Sequence, residues 1–249
     1  MRFPLGKSSG EEKSKHPESS RKNFTVPRPI HAEIDLQALR HNLEVLREKA
    51  AGRTLWAVVK ANAYGHGLEN AVRAFEKADG LATIDLCDAE RARKAGWKGR
   101  ILLLEGFFDA TDIEPLQKLD VETVIHSPWQ IEILRAAKLM NVRCHVKVNS
   151  GMNRLGFLPV EVDGVVDMLD RIPGVSVMGV VTHFANAEPT YLGDAPASVG
   201  RQLTRMGRLA QAGASSCMAN SAGILWHPEV GGSGVRAGVA LYGVSPGAH

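Results

Sequence analysis

The sequence is poor in cysteine and has no two cysteines close together: Cys87, Cys144 and Cys217 stand in separate segments without CxxC spacing. That argues against a disulfide framework and leaves zinc no ligand cluster. All three read as small core or strand-end residues. Long apolar runs are lacking as well. None approaches the roughly 20 residues of a membrane-crossing helix, and Met1-Arg2-Phe3-Pro4-Leu5-Gly6-Lys7 has no apolar centre of the kind a secretory signal needs. The default location is therefore the cytoplasm, with no membrane partner. Aromatic residues make up only 6% of the chain, and no stretch interleaves them with Arg or Lys. The net charge of +3 is concentrated at the start, where residues 1–30 hold seven Lys/Arg against three Glu, so the remainder is about neutral. Without a basic stripe, a nucleic-acid partner is not expected.

What is present is enough apolar content, 44% of 249 residues, to bury a large core. Residues 1–28 are rich in Lys, Ser, Glu and Pro, a composition that predicts a disordered leader. Ile30-His31-Ala32-Glu33-Ile34 alternates as a half-buried strand would. Asp35 can then cap a helix with Leu36, Leu39, Leu43 and Leu46 on one face.

Eight short apolar runs follow: 55–60, 81–86, 101–105, 121–125, 144–149, 175–183, 215–219 and 235–242. Between them lie helical patterns over 68–78, 89–95, 112–119, 128–140, 160–169 and 197–212, and a shorter link follows the seventh run. Strands alternating with helices imply right-handed crossovers onto a parallel sheet. Eight nearly continuous apolar strands favour a closed (β/α)8 TIM-type barrel over 29–249. A doubly wound sheet is the alternative, but no Gly-x-Gly-x-x-Gly follows any run.

In a barrel, chemistry belongs at the carboxyl ends of the strands. Lys60 ends the first run, Lys147 lies in the fifth with Arg154 soon after, His183 ends the sixth, Asn220 and Ser221 end the seventh, and Arg236 opens or precedes the last. Burial lowers the pKa of a lysine and makes its amine a nucleophile suited to Schiff-base chemistry, most commonly with pyridoxal phosphate (PLP). On its residues alone Lys60 also fits a strand-end lysine reaching solvent. Tyr64 fits packing between strand and helix, Lys147 and Arg154 fit ordinary ion-pair partners, and Asn220 and Ser221 fit plain helix capping.

Five separated stretches carry a resemblance. Trp56-Ala57-Val58-Val59-Lys60-Ala61-Asn62-Ala63-Tyr64-Gly65-His66-Gly67 resembles the PLP-lysine signature of alanine racemases. The segments 145–157 (His145 to Phe157), 179–185 (around His183), 220–222 (Asn220-Ser221-Ala222) and 235–243 (around Arg236) are similar to further blocks of that family, in the family's order. The resemblance implies the PLP barrel of fold type III over roughly 30–246, and interconversion of L- and D-alanine, which supplies D-alanine for peptidoglycan. It makes Lys60 the PLP lysine and Tyr64 and Ser221 phosphate ligands, with Asn220 beside Ser221 and the amides of Gly238 and Val239 approaching the phosphate. Arg154 then lies near the phenolic oxygen of PLP, and Lys147, carbamylated in several relatives, positions it. Arg236 faces the pyridine nitrogen, and His183 orients a catalytic tyrosine. No role in proton transfer falls to His66. Asn149-Ser150 stands where many relatives have Asp-Thr, and Ala237 where Pro is usual.

That family continues past its barrel into a mainly β domain, which supplies the tyrosine acting as second acid/base and part of a homodimer contact. The chain stops at Ser245-Pro246-Gly247-Ala248-His249, and Tyr242 belongs to the barrel block. The expectation is therefore a barrel lacking the C-terminal domain, with a weakened dimer and reduced or no racemase activity alone. A non-enzymatic PLP carrier of vitamin B6 homeostasis is the alternative, and a degenerate fragment without cofactor a third reading.

Overall fold

Alternation along the first strand sets the architecture. Leu55 and Ala57 pack outward into the large core shared with the helices, while Trp56 and Val58 join a second cluster with Ala82, Leu102, Val124, Val181 and Cys217. Burial on both faces explains why the runs read as nearly continuous apolar sequence. The structure, a computed structural model, describes residues 32–188, 197–211 and 214–247. The leader expected over 1–28 lies outside these residues. One compact unit runs from Ile34 to His249.

Eight parallel strands close in sequence order: β1 (Thr54–Val58), β2 (Gly80–Thr83), β3 (Arg100–Leu103), β4 (Glu122–Ile125), β5 (Val142–Lys147), β6 (Val175–Val181), β7 (Ser216–Ala219) and β8 (Gly234–Ala237). β1 pairs with both β2 and β8, which completes the expected barrel. The outer helices are α1 (Leu36–Ala50), α2 (Leu68–Ala74), α3 (Leu86–Lys94), α4 (Ile113–Lys118), α5 (Pro128–Ala136), α6 (Val162–Asp170), α7 (Val199–Met206) and α8 (Ser221–Trp226). Among the described residues no helix is long and apolar enough to cross a membrane.

α1 begins where Asp35 accepts hydrogen bonds from the amides of Gln37 and Ala38 at 2.7 and 3.1 Å. It buries Leu39, Leu43, Leu46 and Ala50. The strand expected over 30–34 does not form in its described part, Ala32–Ile34. A strand needs an edge to pair with, and closure leaves this sheet none. Three helices end earlier than their apolar patterns: the one from Leu68 stops at Ala74, the one expected over 197–212 stops at Met206 and passes into a 3-10 turn, and the one from Pro128 stops at Ala136, where Ala137 turns extended and Met140 is left exposed. Cys144 and Cys217 are buried as expected, but Cys87 is exposed in the first turn of α3 and is not a core residue.

Trp56 fills the barrel interior opposite Gly80, its register partner. A Cβ at Gly80 would lie 2.4 Å from the indole ring, so only glycine admits that tryptophan. On the side chain's other flank the Arg100 guanidinium stacks 4.6 Å from the ring centroid. Arg100 also grips Glu122 through two hydrogen bonds of 2.6 and 2.9 Å, and His145 reaches the same carboxylate at 2.8 Å. This buried ionic layer belongs to the starts of β3 and β4 and the middle of β5. Lys60, Lys147, Arg154 and Arg236 lie elsewhere, toward the strands' other ends.

Candidate active site

A cavity of about 200 Å³ opens at the carboxyl ends of the strands, and all ten residues singled out from the sequence line it: Lys60, Tyr64, Lys147, Arg154, His183, Asn220, Ser221, Arg236, Gly238 and Val239. They come from five strand ends spread over most of the chain. Lys147 is the last residue of β5, and Asn220 directly follows β7. Arg236 is the third of four residues in β8, nearer its carboxyl end than the sequence placed it.

Lys60 follows β1 by two residues and starts a turn that the sequence does not announce. Ala61, Asn62 and Ala63 have φ of 53°, 53° and 56° with ψ near 50°, and Tyr64 has φ 51°. Four successive residues other than glycine are thus left-handed, at a cost of about 1–2 kcal/mol each. Backbone bonds hold the turn closed, from Ala63 to Val59 at 2.8 Å, from Gly65 to Ala61 at 3.1 Å and from Gly67 to Asn62 at 3.0 Å. Fully buried Ala63 anchors it, and the half-buried Lys60 and the partly exposed Tyr64 flank the cavity. The Tyr64 ring lies 4.9 Å from that of Tyr242. Tyr242 is itself committed to the fold, its hydroxyl donating to the Val58 carbonyl at 2.9 Å.

Opposite this turn, the Ser221 hydroxyl accepts from the amides of Gly238 and Ala240 at 2.9 and 3.2 Å. Asn220 caps α8 by accepting from the Gly223 amide at 2.9 Å. Gly238 sits where the walls converge: a Cβ there would lie 2.8 Å from the Tyr64 hydroxyl and 3.9 Å from that of Ser221. Two hydroxyls and a bare backbone therefore face one small volume.

Arg236 is buried and rigidly held. Its guanidinium donates to the carbonyls of Cys217, Thr182 and Met218, the last at 3.2 Å, and lies 3.4 Å from Nδ1 of His183. Burial, reinforced by the charges of Arg236, Lys147, Arg154 and Lys60, pushes the His183 pKa far down, so its imidazole is neutral. With Nδ1 accepting from the guanidinium, the ring proton sits on Nε2. Burial, then Arg236 and Arg154, also lowers the Lys147 amine to about 7. Among the described residues Lys60, Lys147, Arg154 and Arg236 form no ion pair, although Glu105 and Glu188 line the same cavity. The two carboxylates carry no motif in the sequence that marks them.

The loop after β5 is fixed by its own polar residues. Asn149 Oδ1 accepts from the amides of Gly151 and Asn153 at 3.1 and 3.0 Å. The Ser150 hydroxyl meets that of Thr182 at 2.8 Å. Buried Gln202 of α7 donates to Ser150 Oγ at 2.8 Å and to the His183 carbonyl at 3.0 Å, tying the Arg154 loop to the end of β6. Sequence reading did not single out Gln202, because its partners lie 19 and 52 residues away.

The comparisons with known proteins agree with this geometry. Residues 34–246 match the family model for the alanine racemase N-terminal domain. The chain is 46% identical to an alanine racemase of Janthinobacterium sp. (strain Marseille) over 227 residues, covering 90% of this chain and 62% of that one. It is 45% identical to a catabolic alanine racemase of Klebsiella aerogenes over 223 residues, covering 89% and 61%. Among solved structures, the biosynthetic alanine racemase of Pseudomonas aeruginosa superposes with a TM-score of 0.79 at 36% identity, over 86% of this chain and 60% of that one. The alanine racemase of Acinetobacter baumannii does so with a TM-score of 0.75 at 32% identity, over 86% and 63%. The chain spans about three fifths of the length of the curated relatives it matches. On the extent of these matches and the closed eight-stranded barrel, the chain belongs to the alanine racemase family, over that family's N-terminal domain.

Proposed function

We propose that residues 34–246 form the PLP-binding barrel of an alanine racemase, a cytoplasmic, homodimeric enzyme that interconverts L- and D-alanine. The observation that carries this reading is the convergence of the ten residues on one cavity that holds cations in no ion pair among the described residues, an amine and a hydroxyl-lined recess.

The residues fit the cofactor. Its phosphate end suits the recess between Tyr64, Ser221 and Gly238, where a Cβ would intrude. The amides of Gly238 and Val239 and the side chain of Asn220 stand beside it. When bound, PLP supplies an electron sink that acidifies the α-hydrogen of an amino acid. Lys60 Nζ would hold the cofactor covalently, with loss of water, and would move the α-proton on one face of the substrate carbon. Arg236, which does not give up its proton near neutral pH, would leave the cofactor's ring nitrogen unprotonated and so restrain competing transamination. Arg154 would stabilise negative charge on the bound cofactor. Neutral His183, with its proton on Nε2, would orient the hydroxyl of a catalytic tyrosine.

Lys147 positions Arg154 as a carbamate. Its amine, lowered to about 7, is substantially neutral at physiological pH. The neutral amine adds through nitrogen to CO2 and releases one proton, which leaves an anion beside Arg154 and Arg236. That gives both guanidiniums an opposite charge where the protonated amine would repel them.

Reconstitution with PLP, borohydride reduction and peptide mapping test the central assignment. The adduct is expected on Lys60. Labelling at another lysine, or none on a folded chain, overturns it.

A further inference from the structure

The left-handed turn that carries Lys60 and Tyr64 is held from outside the cavity. Asn62 sits at its centre, and its Oδ1 accepts two hydrogen bonds: from the Leu68 amide at 3.1 Å and from Arg91 Nη2 at 3.0 Å. Arg91 belongs to α3, which follows the neighbouring strand β2. Its guanidinium is also held by Glu69 in the first turn of α2, at 3.0 and 3.1 Å from Nη2 and 3.2 Å from Nε, and by Asp88 at 3.1 Å. Asp88 in turn accepts from the hydroxyl of Thr83, the last residue of β2, at 3.3 Å. One arginine thus bridges the turn after β1, the start of α2 and the end of β2.

We propose that Arg91 is a positioning residue: through Asn62 it holds the left-handed turn in the one conformation that presents both Lys60 and Tyr64 to the cavity. The inference rests on the reading of Lys60 and Tyr64 as cofactor ligands. The physical argument is local. Asn is among the few residues that enter the left-handed region readily, but Ala61, Ala63 and Tyr64 are not, so the turn relaxes unless its ends are tied. Its backbone bonds close the turn on itself. Val59 at its start donates to the Ala82 carbonyl of β2 at 2.8 Å, and among the described residues only the Asn62 side chain ties the left-handed residues themselves to the neighbouring βα unit through a hydrogen bond. Arg91 and Glu69 are exposed, so this clasp contributes little to the stability of the whole barrel. Its effect is confined to the geometry of one turn.

That confinement makes the proposal separable from a structural role. Arg91→Ala is expected to leave the thermal midpoint within the scatter of ordinary surface substitutions. Hydrogen exchange should accelerate in a peptide over 59–68 of the chain without PLP, but not in peptides over β3 or β4. PLP affinity, measured by absorbance titration, should fall about tenfold, the weight of one hydrogen bond to a charged group at the low end of its range. Arg91→Lys, which supplies a donor but no fork, should recover part of both effects. Asn62→Gly keeps the left-handed conformation accessible while removing the acceptor. If Arg91 acts through Asn62, N62G/R91A is no worse than the more affected single variant. Unchanged exchange and affinity in R91A, or losses that simply add in the double variant, overturn the proposal. If the wild-type chain takes no label on Lys60, the cofactor reading fails instead, and the exchange measurements still decide whether the clasp holds the turn.

Discussion

Glu122 offers the sharpest test of how charge is handled inside this barrel. Its carboxylate is 1% exposed, accepts two hydrogen bonds from Arg100 and lies 2.8 Å from His145 Nε2. Burial alone would raise its pKa. The hydrogen bonds from His145 and Arg100, with their charges, outweigh burial and hold it at about 2 against an ordinary 4.5. A depression of that size corresponds to about 3.4 kcal/mol of stability. The Arg100 side chain is 41% exposed, and water screens its share, so about 2–3 kcal/mol is the better expectation. Glu122→Gln keeps the shape and removes the charge. At pH 7 it should lower the urea-unfolding free energy by that amount and the thermal midpoint by about 5–10 °C. Because the folded pKa is depressed, the contribution is complete above pH ~4.5 and disappears as pH falls toward 2. The gap between wild type and variant should therefore narrow steadily over that window, followed by the chain's tryptophan fluorescence in urea titrations at each pH. A gap of the same size at pH 7 and pH 2.5, or none at pH 7, refutes this account of Glu122.

Two further outcomes follow from the cavity. Gly238→Ala places a methyl 2.8 Å from the Tyr64 hydroxyl and so drives apart the walls of the phosphate recess; overpacking of this kind costs about 1–3 kcal/mol. PLP affinity should fall at least about fivefold in an absorbance titration, and an unchanged affinity would remove Gly238 from the recess. For Lys147, a carbamate resonance is expected in carbon-13 spectra of the chain in labelled bicarbonate. At fixed dissolved CO2 it should grow as pH rises through about 7, because only the neutral amine adds to CO2, and be absent from Lys147→Met. A signal that persists in the variant would place the modification elsewhere.

The barrel was legible because its eight strands are buried on both faces. Each apolar run in the sequence contains or overlaps one observed strand, and the order of closure follows from short crossovers. The candidate site was legible where the resemblance rests on long strings, as around Lys60 and Arg154. Other features could not be read. Ala61-Asn62-Ala63-Tyr64 contains no glycine, so nothing local marks four left-handed residues in a row. The Asn62–Arg91 contact spans 29 residues and the Gln202–Ser150 contact 52, distances over which no periodicity operates. Glu122 lay unremarked in an apolar run, because its partners sit on neighbouring strands rather than nearby in sequence. The strand expected over 30–34 failed for the opposite reason: its alternation was real, but pairing needs an edge, and the closed sheet has none.

The two ends of the barrel treat charge in opposite ways, and that contrast separates structure from site better than burial does. At one end, Arg100, Arg143 and His145 surround Glu122 within 4 Å, so every charge there has an opposite neighbour and the layer is complete as it stands. At the other, Lys60, Lys147, Arg154 and Arg236 share a cavity, and among the described residues none is in an ion pair. Burial first, and then the repulsion of like charges gathered in one partly desolvated space, lowers Lys147 and His183. A fold has no reason to keep such an arrangement for its own stability. An anion entering the cavity offsets these repulsions, because each cation then has an opposite charge beside it. The stability that this end lacks in the free chain is thereby regained on binding, and the gain grows with the concentration of a ligand that the folded state alone can hold.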